Sequence, residues 1–74
     1  MEEQRLSALR QELVALGVPA GYYSVGSNRD ERTCLVLDDG KWLVYFSERG
    51  QLADLAVFDS FEAARGEFVR RLVT

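Results

Sequence analysis

The sequence predicts an α+β domain with an N-terminal helix, a three- to four-stranded antiparallel sheet and a C-terminal helix. Three observations predict it. Leu6, Leu9, Leu13 and Leu16 recur at helical spacing near the start, and Phe61, Ala64, Phe68 and Leu72 do so near the end. Between them, two apolar runs flank Asp39-Gly40, a pair in which both positions tolerate the positive φ of a two-residue hairpin turn. The whole chain, 1–74, is read as a single domain. At this length folding hides only roughly 60 % of the surface the unfolded chain exposes. A deep internal substrate cavity is therefore not expected.

Residues 3 to 16 form the first predicted helix, with Glu2 and Glu3 suited to the positive end of its dipole. Gly17-Val18-Pro19 is its stop: glycine takes the left-handed C-terminal conformation, Val18 folds back on the last turn, and proline prevents continuation. Tyr22 to Val25 is a short strand, and Gly-Ser-Asn-Arg-Asp-Glu from Gly26 to Glu31 has the composition of a polar loop. Strands at 33–38 and 41–47 follow. Arg49-Gly50-Gln51 makes a second turn, and a further strand covers 54–58. Asp59 or Ser60 caps the last helix, with Glu62 placed to complete a capping box if Asp59 is the cap. Arg70 and Arg71 sit where the helix dipole favours positive charge. Gly66 weakens this helix by roughly 1 kcal/mol relative to alanine, which reads as room left for another element.

A strand with one wet face alternates apolar and polar residues, yet Trp42 to Phe46 is apolar at every position. Hairpin register pairs Leu37 with Trp42, Leu35 with Val44 and Thr33 with Phe46 on one face. Val36 with Leu43 and Cys34 with Tyr45 share the other. Two helices can cover one face, so the second is expected to stay open in a monomer. Trp42 and Tyr45 lie on opposite faces, so a core covered from one side cannot hold both. Tyr22 and Tyr23 likewise point opposite ways, one packed and one wet. For Trp42 a place in an interface and a place beside Leu37 weigh about equally.

No residue set carries a recognisable reaction, and the chain is read as not an enzyme. Histidine is absent and Cys34 is the only cysteine, so a disulfide within the chain and a zinc site both lack partners. Cys34 sits mid-strand and reads as a buried inert thiol. Asp38 and Asp39 are explained by the turn, and no glycine-rich phosphate loop is present. No cofactor is expected. The first residues lack the basic start and apolar core of a secretory signal, and no apolar run reaches membrane-spanning length, so a cytoplasmic protein without a membrane partner is expected. The net charge of −3 is unevenly placed: residues 38–59 carry five acids against two bases, which argues against nucleic acid and permits a basic protein partner.

The stretch Trp42-Leu-Val-Tyr-Phe-Ser-Glu-Arg-Gly50, followed by Asp54-Leu-Ala-Val-Phe-Asp-Ser-Phe-Glu-Ala63 and a closing helix, resembles very small bacterial immunity-type proteins of polymorphic toxin systems. Leu16-Gly-Val-Pro19 and Tyr23-Ser-Val-Gly26 resemble the same group's opening, so the likeness spans nearly the whole chain. Phe61 and Arg65 depart from it, standing where an acidic residue and a cysteine are found in that group. The resemblance implies a non-catalytic protein-binding module that neutralises a cognate toxin domain. Tyr23, Trp42, Tyr45, Glu48, Arg49 and Asp54 are the candidate partner-binding residues. The alternative is a small structural homodimer whose second apolar face closes against its own copy.

Overall fold

Two pairs of residues with left-handed backbone set the sheet. Asp39 and Gly40 have φ of 51° and 79°, and Arg49 and Gly50 have φ of 51° and 82°. Positive φ at both positions matches the natural twist of antiparallel strands, so each pair closes a tight hairpin. The computed structural model describes residues 2–73. Its elements are α1 (Glu2–Ala15), a 3-10 turn (Ala20–Tyr22), β1 (Tyr23–Val25), β2 (Arg32–Asp38), β3 (Lys41–Glu48), β4 (Gln51–Phe58) and α2 (Phe61–Val73). This is an α+β fold with one four-stranded sheet in the order β1-β2-β3-β4. Leu37 pairs with Trp42, Leu35 with Val44, Thr33 with Phe46, Val36 with Leu43 and Cys34 with Tyr45, the register expected from the Asp39-Gly40 turn.

The sheet is mixed where an all-antiparallel one was expected. β1 runs parallel to β2, with Tyr23 opposite Thr33 and Val25 opposite Leu35. A parallel neighbour requires the chain to cross the sheet between the two strands. Residues 26–31 make that crossing. A second difference is at β4, which begins at Gln51 instead of Asp54. The strand accommodates Asp54 as a bulge: Val44 pairs with Ala56 but Phe46 pairs with Ala53, so Asp54 and Leu55 together oppose Tyr45.

Both helices lie on one face and close the core. Leu9 and Leu13 of α1, Phe61, Ala64 and Phe68 of α2, and Tyr23, Val25, Leu35, Trp42 and Val44 of the sheet form one buried cluster. Trp42 is 4 % exposed and meets Phe61 edge-on, with ring centroids 5.1 Å apart. Its indole is a core side chain, and of the two expectations for Trp42 the structural one describes its position. Leu16 lies beyond the end of α1 and is exposed. Val18 takes its place in the core, held by its amide on the Leu13 carbonyl at 3.1 Å while Gly17 turns the chain at φ +80°. Arg65 of α2 donates to both carboxylate oxygens of Glu12, clamping α2 to α1.

The cap of α2 is Ser60, whose hydroxyl accepts the Ala63 amide at 3.2 Å. Asp59 instead takes the Lys41 ammonium, whose hydrogen bond holds its carboxyl below the ordinary value. Gly66 is exposed with nothing within 4 Å of where a Cβ would stand, so no element approaches it. Gly26, by contrast, has φ +93° and would place a Cβ 3.2 Å from Leu6 Cδ1.

Gly66→Ala is expected to stabilise the protein by about 1 kcal/mol and raise Tm by roughly 4 to 8 °C, read by circular dichroism. Glu67 gives a second test. Hydrogen bonds from Arg70, then from Arg71, lower its carboxyl from an ordinary 4.5 to about 2. A depressed carboxylate contributes stability above its unfolded value, and that contribution disappears as pH falls through the folded one. Glu67→Gln is therefore expected to shrink the wild-type loss of stability between about pH 4.5 and 2, and acid titrations of the two proteins should differ in slope only there.

Candidate protein-binding surface

The face of the sheet away from the helices is half covered. The polar loop at 26–31 folds across it and spends its hydrogen-bonding groups on the strands beneath. Tyr45 donates its phenol hydrogen to Asn28 Oδ1 at 2.9 Å, and Ser47 Oγ donates to Asp30 Oδ1 at 3.3 Å. The same Asp30 oxygen accepts the Gly50 amide at 3.3 Å, tying the loop to the β3–β4 turn. Ser24 Oγ donates to the Ser27 carbonyl at 2.7 Å, and the Glu31 amide to the Ser47 carbonyl at 2.7 Å. Beneath this cover Ser24, Cys34, Tyr45 and Ser47 are all buried. Burial, and secondarily Cys34, raise the Tyr45 phenol above its ordinary value, so it stays neutral and keeps its hydrogen.

The six candidate residues therefore fall into two groups. Tyr23 and Trp42 are buried on the helix side, and Tyr45 is buried on the opposite side under the loop. The structure does not bring these three together, and none of them lines an open surface. Of the adjacent tyrosines, Tyr23 is packed and Tyr22 is exposed. Glu48, Arg49 and Asp54 are exposed along the β3–β4 hairpin. Asp54 borders a groove shared with Thr33, Phe46, Glu67, Arg70 and Arg71.

What remains open on the outer face is a stripe that the sequence reading did not single out. Leu52 opposes Ser47 and Val57 opposes Leu43, which places both on the outer side, and Leu55, two residues from Val57, shares it. Leu52, Leu55 and Val57 are 47 %, 48 % and 55 % exposed, with Leu43 and Val36 half-buried beside them. The signal was in β4 itself: Ala53, Ala56 and Phe58 take the helix side, while Leu52, Leu55 and Val57 face outward, so the strand is apolar on both faces.

Charge lies at the turns of the hairpin and on the helix side of β4. Among the described residues Asp38, Asp39, Glu48 and Asp54 form no ion pair, Arg49 forms none, and Lys41 is engaged by Asp59. The free charge at the two turns is therefore mainly acidic, while Asp54 on β4 shares its groove with Arg70 and Arg71. One of the exposed candidates also holds costly backbone: Arg49 has φ of 51°, a region few side chains other than asparagine and aspartate enter readily, whereas Asp54 at 55° is of the type that does. Among the described residues no group of three or more Cys, Asp or Glu is placed to hold a metal ion. No helix among them is long and apolar enough to cross a membrane.

Comparison with protein-family models, with curated proteins and with solved structures finds no match to this chain.

The loop seal can be measured through Cys34, the chain's only thiol, which has no exposed surface. Asn28→Ala with Asp30→Ala removes the acceptors for Tyr45 and Ser47, each hydrogen bond being worth about 0.5 to 1.5 kcal/mol. The Ellman reagent is expected to react with Cys34 of this variant on the order of 5- to 100-fold faster than with wild type, while the far-UV spectrum stays unchanged.

Proposed function

We propose that this protein is a non-catalytic protein-binding module acting as an immunity protein in the bacterial cytoplasm, where it neutralises a cognate toxin domain. The observation that carries the binding part is the apolar stripe Leu52, Leu55 and Val57, open to solvent on the hairpin that also carries the exposed Glu48, Arg49 and Asp54. Monomeric proteins rarely leave a contiguous apolar patch uncovered unless it meets a partner. The toxin part rests on the resemblance of the Trp42 to Gly50 stretch and the segment after Asp54 to immunity-type proteins. An inhibitor of this kind works by shape and charge alone. It needs a surface that excludes water from the toxin's site or a neighbouring region, with no chemistry of its own.

Burial redistributes the roles of the candidate residues within this reading. Glu48, Arg49 and Asp54 are the polar rim, and Leu52, Leu55 and Val57 are the apolar centre. Tyr23, Trp42 and Tyr45 support the surface from within. A structural homodimer would use the same stripe, and a dimer found by sedimentation of the protein alone would favour it.

The test is protection of cells against the toxin domain that this reading expects a neighbouring gene to encode. Leu52→Ser with Leu55→Ser and Val57→Ser is expected to abolish protection without lowering Tm, because these side chains are exposed at the outset. Alanine at Glu48, Arg49 or Asp54 is expected to weaken toxin binding, up to about 30-fold if the residue is a hot spot worth about 2 kcal/mol. Undiminished protection by the triple variant, at equal expression, would sink the reading.

A further inference from the structure

We propose that residues 26–31 form a latched strap, which lifts as a unit from the outer face while the sheet and helices stay folded, and so joins the apolar surface beneath it to the open stripe of β4. The strap lies over Ser24, Cys34, Tyr45 and Ser47, all of them buried. Its own residues, Gly-Ser-Asn-Arg-Asp-Glu, are all exposed, and none belongs to the hydrophobic core. Among the described residues none of the six takes part in an ion pair. Hydrogen bonds hold the strap down: Tyr45 to Asn28, Ser47 and the Gly50 amide to Asp30, Ser24 to the Ser27 carbonyl, and the Glu31 amide to the Ser47 carbonyl. Water replaces such bonds when the strap lifts, whereas it cannot replace core packing. A segment with solvent-facing hydrogen bonds and no apolar anchor belongs to the least stable part of a fold and opens locally.

Both ends of the strap are left-handed, and they differ. Gly26 takes its φ of +93° without strain, and its surroundings fix it. Its amide donates to the Leu35 carbonyl at 2.8 Å, a Cβ there would stand 3.2 Å from Leu6, and Arg10 of α1 donates to the adjoining Val25 carbonyl at 3.0 Å. This end is the pivot. Glu31 has φ of 62°, which a glutamate enters only at a cost, so the latched end carries the strain. The chain is long enough for the motion. Val25 lies opposite Leu35, so Val25 and Arg32 are three residues apart along the sheet, about 10 Å at roughly 3.3 Å per residue. Six residues reach about 20 Å, and the strap rises without pulling β1 from β2. What it bares is continuous. Val36 opposes Leu43, Cys34 opposes Tyr45, and Tyr45 faces the bulge of Asp54 and Leu55. Apolar surface then runs from β2 across β3 to Leu52, Leu55 and Val57. The device belongs to the fold alone and does not depend on which partner, if any, the face meets.

The test labels Cys34 of the full chain with excess Ellman reagent at several urea concentrations below the unfolding transition, with ¹⁵N NMR hydrogen exchange under the same conditions. The labelling rate is expected to rise in proportion to reagent, and to respond to urea with less than about a third of the slope of global unfolding, because lifting six residues exposes little surface. The Glu31 and Gly50 amides are expected to exchange through the same shallow opening, and those of the β2–β3 ladder only through the steep one. Glu31→Gly removes the left-handed strain from the closed strap, and is expected to slow labelling on the order of 2- to 5-fold at unchanged or higher Tm. Labelling with the full slope of global unfolding, ladder amides that open together with Glu31 and Gly50, or a Glu31→Gly variant that labels as fast as wild type or faster would each overturn the strap.

Discussion

Asp39 and Gly40, both left-handed, align β2 on β3, and that alignment decides what each face of the sheet carries. Because side chains alternate, a slip of one residue would exchange the faces. Leu35, Val44 and Trp42 would leave the helices, and Cys34, Tyr45 and Ser47 would take their place. The helices could not follow. Phe61 meets the Trp42 indole at 5.1 Å, and Phe68, Leu9 and Leu13 are completely or almost completely buried against the same layer. In a chain of this size, where the core rarely supplies more than about 3 to 5 kcal/mol, losing any one of these contacts approaches the whole stability.

The outer face is finished by a different device. In place of a second apolar layer, a six-residue polar crossing does half the work. Its success depends on matching groups: Asn28 meets the Tyr45 hydroxyl, and Asp30 meets the Ser47 hydroxyl and the Gly50 amide. No buried side-chain polar atom among the described residues is left without a partner. Satisfied in this way, hydroxyls in the sheet tolerate burial that would otherwise cost about 1 to 3 kcal/mol each. The crossing also explains why β1 runs parallel to β2. A hairpin could not have returned the chain over this face.

The loop stops short of β4, and the properties of that strand follow from its position. Leu52, Leu55 and Val57 are half open because the loop does not reach over them, and the bulge places Asp54 in the groove beside Arg70 and Arg71. Arg49 occupies backbone that glycine or asparagine would hold at lower cost. Local conformational preference and residue choice disagree at Arg49, on the hairpin that carries the exposed stripe, and at Glu31, φ 62°, at the end of the loop over the outer face. Such disagreements gather where a surface serves something other than folding.

The elements and their order, the β2–β3 register and the helix stop at Gly17-Val18-Pro19 were legible in the sequence, because each is set by neighbours a few residues apart: helical spacing, turn chemistry, alternation. The same local information left β1's direction open, along with the exposure of Leu16 and the choice of Ser60 over Asp59 as cap. Of the candidate surface, Glu48, Arg49 and Asp54 were read as exposed turn and strand residues, whereas the aromatic half of the set was not separable from the core. Burial is a property of what lies opposite in space, and Trp42 and Tyr45 are placed by Phe61 and Asn28, partners 19 and 17 residues away. The sequence by itself determined a helix, a hairpin-built sheet and a helix, with too many apolar residues for one covered face. Only the tertiary structure decided which apolar residues stay uncovered, since that depends on where a six-residue loop can reach and where the sheet ends.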